Sequence, residues 1–312
     1  MSKHYCRMLL CFVFCDMFNV DQAHAQLSEF NLEATSNLQM MYEPFSGLTT
    51  SRTWELRLIP ENTGTGAGNT DTQASQRRLL LRFTPSRLQD FTLAGVDGEL
   101  PIEIFRGSQS QAPLRLSNNQ YEQVVNFAGS DIDSLSLDYI FRIPESIYAE
   151  PGQYSLSLDV GVFDFDTSES IGSVIELNLD VSVARKLQTN IAGTRGNYDD
   201  GSSFSIIDFD SLTTDKTRRV FIQVRGNAQA RIKISSENKG RLKHVTRDDV
   251  YINYSITADG EFSTLESPLI IGRAVAKTLQ GSAYPMIVKI GDVGSSYAGD
   301  YQDLITIDVS PD

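Results

Sequence analysis

From Trp54 onward apolar and polar residues take turns, and this alternation limits what the chain can fold into. Trp54, Leu56 and Leu58 share one parity. Leu79, Leu81 and Phe83 share another, with Leu80 interrupting the polar side. Tyr154, Leu156, Leu158, Val160 and Val162 alternate with Ser155, Ser157, Asp159 and Gly161, and Ile175, Leu177, Leu179, Val181 and Val183 follow with Glu176, Asn178, Asp180 and Ser182 between them. Shorter runs lie around Phe221, at Ile232 and Ile234, at Ile252, Tyr254 and Ile256, at Met286, Val288 and Ile290, and at Ile305, Ile307 and Val309. Successive side chains on a strand point to opposite faces, so a period of two marks a strand with one face on a core. Turn residues separate the runs: 61–71, Val96-Asp97-Gly98, Pro151-Gly152, Asp259-Gly260 and 291–299. No helical spacing persists beyond a turn or two. The pattern predicts an all-β protein made of immunoglobulin-like antiparallel β-sandwich domains.

The length, 312 residues, suits two such domains. Forty acidic against 27 basic side chains leave a formal charge of −13. That balance opposes nucleic acid, whose phosphates require a surplus of Lys and Arg, and equally opposes docking on anionic lipid. The sequence holds no dinucleotide-binding or P-loop glycine motif. Residues 1–25 read as a secretory signal peptide: Lys3 and Arg7, the short apolar run Met8–Cys15, then Ala23-His24-Ala25 before Gln26. Eight apolar residues are too few to span a bilayer as a helix. A lipid anchor on Cys11 or Cys15 is disfavoured by the large Leu10 and Phe14 before them. All three cysteines, Cys6, Cys11 and Cys15, fall in the leader, so the exported chain is expected to lack disulfides, thiol nucleophiles and sulfur ligands.

Little remains for catalysis. His244 is the one histidine after residue 25, it has no nucleophile elbow to serve, and it reads as a surface residue. Asp199-Asp200 and Asp248-Asp249 are adjacent acids among turn residues and read as solvated loop charge rather than a glycosidase pair. Asp164, Asp166, Ser168 and Glu169 alternate oxygen ligands, but without the EF-hand glycine they read as a polar hairpin loop, not a calcium site. Asn253-Tyr254-Ser255 is a glycosylation triplet inside a strand-like run. The expectation is no catalytic residue, no metal and no cofactor.

The two halves share an order of segments. Gly152-Gln-Tyr154 and its strand can be laid on Gly299-Asp-Tyr301, Arg77–Phe83 on Arg218–Val224, and Leu137–Phe141 on Ile252–Ile256. This places a domain boundary near Ala184-Arg185-Lys186, giving domains 26–184 and 185–312. In the first half the Gly-x-Tyr strand is followed by another long strand, Ile175 to Val183. In the second half it is followed only by Ser310-Pro311-Asp312. The C-terminal sandwich is therefore expected to lack its last strand, which would leave an apolar groove and unpaired backbone groups for a strand from another chain. A complete sandwich of fewer strands is the alternative.

The second half resembles the spore coat protein U-like family, the pilins of archaic chaperone–usher pili. The matching segments are 206–212, 219–224, Ile234-Ser235-Ser236-Glu237-Asn238-Lys239-Gly240-Arg241-Leu242, 252–256 with Asp259-Gly260, and Ala298-Gly299-Asp300-Tyr301-Gln302-Asp303-Leu304 through Val309. The resemblance implies a fimbrial subunit rather than an enzyme, exported through the periplasm to the cell surface. Its implied partners are a periplasmic chaperone, an outer-membrane usher, an adjacent pilin subunit that donates a strand, and a surface receptor. Tyr301, Ile305, Ile307 and Val309 would wall the donor-strand groove. The first half would be the binding domain of a two-domain tip adhesin, with candidate loops at 61–71 and 98–120. Rival readings are a stalk or minor pilin, a free-standing secreted carbohydrate-binding module and a carboxylate glycosidase.

Overall fold

The computed structural model describes residues 29–61, 77–86, 90–127, 133–193, 195–196, 198 and 202–312. Residues 1–25, read above as a signal peptide, nearly all of the 61–71 loop and the pair Asp199-Asp200 lie outside the described residues. Every regular element among the described residues is a strand. The first set comprises β1 (Phe30–Ala34), β2 (Asn37–Tyr42), β3 (Thr50–Pro60), β4 (Arg77–Pro85), β5 (Thr92–Gly95) and β6 (Glu99–Pro101). It continues with β7 (Glu103–Arg106), β8 (Leu116–Ser117), β9 (Gln120–Phe127), β10 (Leu135–Ile143), β11 (Gly152–Asp164) and β12 (Ser170–Val183). The second set is β13 (Leu187–Ala192), β14 (Thr217–Gly226), β15 (Ala230–Ser236), β16 (Arg241–His244) and β17 (Tyr251–Ala258). It ends with β18 (Glu261–Ser263), β19 (Leu269–Arg273), β20 (Ser282–Ile290), β21 (Tyr301–Gln302) and β22 (Ile305–Pro311).

The first set builds one sandwich. One layer runs β7-β10-β3-β1, the other β12-β11-β4-β9-β8. The alternating residues meet between them: Leu56, Leu58, Leu79, Leu81, Leu158, Val160, Leu177 and Leu179 are all fully buried. Trp54, Phe83, Tyr139 and Phe141 pack with ring centroids 4.9–6.5 Å apart, mostly edge to face. Two pairings are parallel, where the alternation suggested antiparallel sheets throughout. β2 runs parallel to β12 (Asn37–Tyr42 beside Asn178–Val183), and Phe30 of β1 meets Gly172. The cause is a change of layer after β1, which pairs with β3. The crossing is held by Trp54 Nε1, which donates to Thr35 O (2.8 Å), and by Asn178 N–H, which donates to Ser36 O (2.7 Å). The 98–120 region, expected as a loop, contributes β6, β7 and β8 to the sheets.

The second set builds another sandwich, with layers β13-β14-β20-β17-β16-β21 and β19-β15-β22, and β18 hairpinned onto β17. Ile222, Val224, Ile232, Ile234, Ile256, Met286 and Ile290 fill it. Among the described residues no strand of one set pairs with a strand of the other, and the two cores share no residue.

Hydrogen-bonded neighbours show which strands correspond. β1-β3-β10 matches β13-β14-β20, and β11-β4 matches β22-β15. The Gly-x-Tyr alignment therefore stands. The other two do not: Arg77–Phe83 is β4, whose counterpart is β15 rather than β14, and Leu137–Phe141 is β10, whose counterpart is β20 rather than β17. Every strand of a sandwich carries the same period, so parity alone cannot tell one strand from another.

The single tryptophan, Trp54, reports on the first sandwich. Leu158→Ala is expected to lower the stability read by its fluorescence in urea by about 2–5 kcal/mol. Ile307→Ala is expected to leave that transition in place and to shift only the part of the circular-dichroism transition that Trp54 does not follow.

Candidate functional site: an open strand edge

β22 pairs with β15 along one edge, Ser236 facing Ile305 through Ala230 facing Pro311. Glu237 N–H donates to Leu304 O (3.0 Å), and Asp312 N–H donates to Gln229 O (3.1 Å). In an antiparallel ladder the bonded residues alternate, so the N–H and C=O groups of Ile305, Ile307 and Val309 point away from β15. No strand among the described residues meets them. Their side chains turn inward, half-buried against the second core. Three of the four residues expected to wall a groove thus share one edge.

The first sandwich carries the same strand in a filled setting. β11 has β4 on one side and β12 on the other, the latter antiparallel along nearly its whole length. With both edges covered, Leu156, Leu158, Val160 and Val162 are at most 1% exposed. Among the described residues the second sandwich has counterparts of β11 and β4, and none of β12.

The opposite rim was not singled out in the sequence. Leu187 and Ile191 on β13 are half-buried against the same core. After β13 the chain returns at Ser202, whose carbonyl accepts from Ile191 N–H (3.0 Å). Residues 204–210 then alternate: Ser205, Ile207 and Phe209 turn inward, while Phe204, Ile206, Asp208 and Asp210 face water. Ile207 and Phe209 pack on the core, and Arg218 Nε donates to Asp208 O (3.0 Å). The alternation of this segment is like that of β2 in the first sandwich, which runs beside β12. The parity of Ile207 and Phe209 was the signal that could have identified it. β13 and β22 lie close without a ladder between them, so an inserted strand would part them by roughly one strand spacing, about 4.8 Å.

Tyr301 lies on β21 at the end of this edge rather than along it. Its hydroxyl donates to Tyr297 O (2.7 Å), just as Tyr154 donates to Glu150 O (2.9 Å). Each is a tyrosine corner, which is why Gly-x-Tyr recurs. His244, expected at the surface, is only 5% exposed and stacks edge-on against Tyr301, centroids 4.9 Å apart. A side chain at Gly299, whose φ is +149°, would enter the His244 ring at 2.3 Å.

Between β21 and β22 sits Asp303, a hub that the sequence did not disclose. Its carboxylate accepts from Tyr254 OH (2.6 Å), Asn238 N–H and Nδ2 (3.0 Å each), Leu304 N–H (2.9 Å) and Ser236 Oγ. Burial and this carboxylate push the Tyr254 phenol well above its ordinary pKa. Ser236 Oγ accepts in turn from Gly240 N–H (2.7 Å). At Gly240, φ +75°, a Cβ would lie 1.7 Å from Thr264 O. Ser236, Asn238 and Gly240 from one segment that carries the resemblance, and Gly299, Tyr301 and Asp303 from another, thus cooperate where the last strand bends from one layer to the other.

The other polar candidates serve the fold. Asp164 Oδ1 accepts from the N–H groups of Asp166 and Thr167 (3.0 Å each), which closes the β11–β12 hairpin. Asp248 pairs with Lys243 at 2.5 Å. Among the described residues no three His, Cys, Asp or Glu side chains converge, and no helix is long and apolar enough to cross a membrane.

No protein-family model and no curated protein matches the sequence. Solved structures do resemble it. The CsuC–CsuE chaperone–tip adhesion subunit pre-assembly complex from archaic chaperone-usher Csu pili of Acinetobacter baumannii matches 89% of this chain and 99% of its own, at 13% identity and TM-score 0.46. The CupB6 tip adhesin of Pseudomonas aeruginosa matches over 90% and 94%, at 13% identity and TM-score 0.40. The CooA pilin subunit of enterotoxigenic Escherichia coli matches over 50% and 97%, at 10% identity and TM-score 0.31.

Asp303→Ala would strand the Tyr254 hydroxyl and the Asn238 amide without an acceptor. The expected loss is about 2–4 kcal/mol in the second sandwich, with the Trp54 transition unmoved in urea titrations.

Proposed function

We propose that this chain is a subunit of a fibre on the cell surface, assembled by the chaperone–usher route, whose second sandwich is completed by a strand from another chain. The observation that carries this reading is internal. The same fold occurs twice, once with the lane beside its Gly-x-Tyr strand filled by β12 and once with no strand among the described residues in that lane. A strand lent to the second sandwich would run antiparallel to β22 and parallel to residues 204–210, as β12 does beside β11 and β2. Its backbone would pair with Ile305, Ile307 and Val309, and its inward side chains would cover Ile207, Phe209 and Leu187. Four or five apolar side chains buried there are worth roughly 1.5–3 kcal/mol each before ordering entropy is charged. A periplasmic chaperone and then an adjacent pilin are the successive lenders in this reading, with an outer-membrane usher between them.

Within the fibre we assign the chain to the tip, with the first sandwich as the exposed binding domain. The first strands among the described residues, β1 and β2, are built into the first sandwich, on β3 and β12, and so are not free to complete a neighbour. Chemistry plays no part: the groups that could serve it, His244 and Asp303 among them, are occupied in the packing of the last strand.

The test uses the chain's own β12. Expressed without its leader and without a chaperone, the protein is expected to yield little soluble material. Joined after Asp312 through a flexible linker to a copy of residues 174–183, it should become soluble and gain a cooperative transition that Trp54 does not report. An unfused chain that is as soluble and as stable as the fusion would overturn the reading.

A further inference from the structure

The outward face of the missing strand is also specified, an inference that rests on the strand-acceptor reading. In the first sandwich, two water-facing side chains of β12 bond to β11, while Glu176 faces Asp159 in register, an unmatched like-charge pair. Ser157 Oγ donates to Asn178 Oδ1 (2.6 Å), and Gln153 Nε2 donates to Ser182 Oγ (3.1 Å). On its other flank β12 meets Asn37, Gln39 and Met41, all three exposed and the first two polar. The lane is mostly polar, with exposed apolar side chains only at its two ends, Val174 of β12 and Met41 beside Ser182.

The empty lane has different flanks. On β22 the outward residues are Thr306, Asp308 and Ser310, with the carboxylate of Asp308 exposed and Lys233 its register neighbour on β15. On the other rim, Phe204 and Ile206 stand 67% and 78% exposed, although they alternate with residues that pack on the core. Large apolar side chains left in water on a rim are a marker of a contact surface. Cross-strand neighbours on one face interact, opposite charges and apolar pairs favourably and like charges unfavourably.

From this we infer that the strand received beside β22 is amphipathic in a particular sense. Its inward positions are apolar. Its outward positions carry a cation next to Asp308 and an aliphatic or aromatic side chain next to Phe204 and Ile206. The partner is an extended segment bearing Lys or Arg between apolar residues; a strand with acidic outward residues, such as β12 with Glu176 and Asp180, still fills the lane but binds less tightly than one with a cation there.

The correspondence of β22 with β11 sets the register. Tyr301 matches Tyr154, so Asp308 takes the place of Gly161, which faces Val174 of β12. Two fusions of the full chain after Asp312 test the inference, each carrying residues 174–183 with Glu176 and Asp180 replaced by glutamine. One has lysine at the position copied from Val174, the other glutamate. The lysine fusion is expected to melt about 2–4 °C higher in the transition that Trp54 does not report. The gap should close in molar salt and reverse in the Asp308→Lys background. A third fusion, with leucine in place of the residue copied from Asn178, should gain stability over its asparagine parent, and this gain should vanish in Phe204→Ser/Ile206→Ser. Equal melting of the lysine and glutamate fusions, or a gap that ignores Asp308→Lys, overturns the charge assignment. A leucine gain that survives the double serine variant overturns the apolar one. If no fusion melts above the unfused chain, the strand-acceptor reading fails as well.

Discussion

Backbone amides and carbonyls of a strand call for hydrogen-bond partners, and along β22 half of them find none among the described residues. Ile305, Ile307 and Val309 present their N–H and C=O groups along one open edge, while their side chains lean on a core that is closed elsewhere. An edge of this kind is a template for another strand, and folded proteins normally cover, charge or shorten such edges. This one is long, flanked by a half-buried apolar row and ends in a rigid corner. The first sandwich shows what closure achieves. There β12 satisfies the backbone and seals the core, and the equivalent apolar side chains of β11 are out of contact with water.

The corner explains how an incomplete sandwich keeps its last strand in place. Asp303 gathers donors from β15, β17 and the Ser236–Gly240 turn, so the turn between β21 and β22 is pinned before any partner arrives. Tyr301 and His244 lock the approach to it. At the other end Asp312 is held by Arg231 through its carboxylate (2.6 Å) and by Arg185 through its carbonyl (2.7 Å). Arg185 belongs to the connection between the sandwiches. Beside it Asn227, itself buried, bonds Ala184 O and Lys186 N–H, and Lys186 reaches Glu43 of the first sandwich at 3.0 Å. Both ends of the edge are therefore fixed, which leaves its middle as the part that can open.

Much of this was legible from residue order. Alternation alone marked nearly every long strand, because a half-buried strand leaves a period of two whatever its partners. The recurring Gly-x-Tyr marked two equivalent corners. What parity could not supply was neighbour identity. Arg77–Phe83 and Leu137–Phe141 were matched to the wrong strands, since the information that separates them lies in hydrogen bonds across the sheet. Asp303 was hidden for a related reason: its five donors come from segments up to 67 residues away. His244 looked like a surface residue because nothing nearby in sequence announces that Gly299 makes room for its ring. Residues 204–210 show the alternation but form no ladder, so their role as a rim appears only when β2 is laid beside them.

Amide hydrogen exchange on the full chain tests the open edge most directly. The account predicts an alternating pattern along β22: slow exchange at Thr306, Asp308 and Ser310, which face β15, and fast exchange at Ile305, Ile307 and Val309. Along β11 the amides facing either neighbour should all be slow. Slow exchange at Ile305, Ile307 and Val309 in the chain by itself would contradict the account, because those groups would then already have partners.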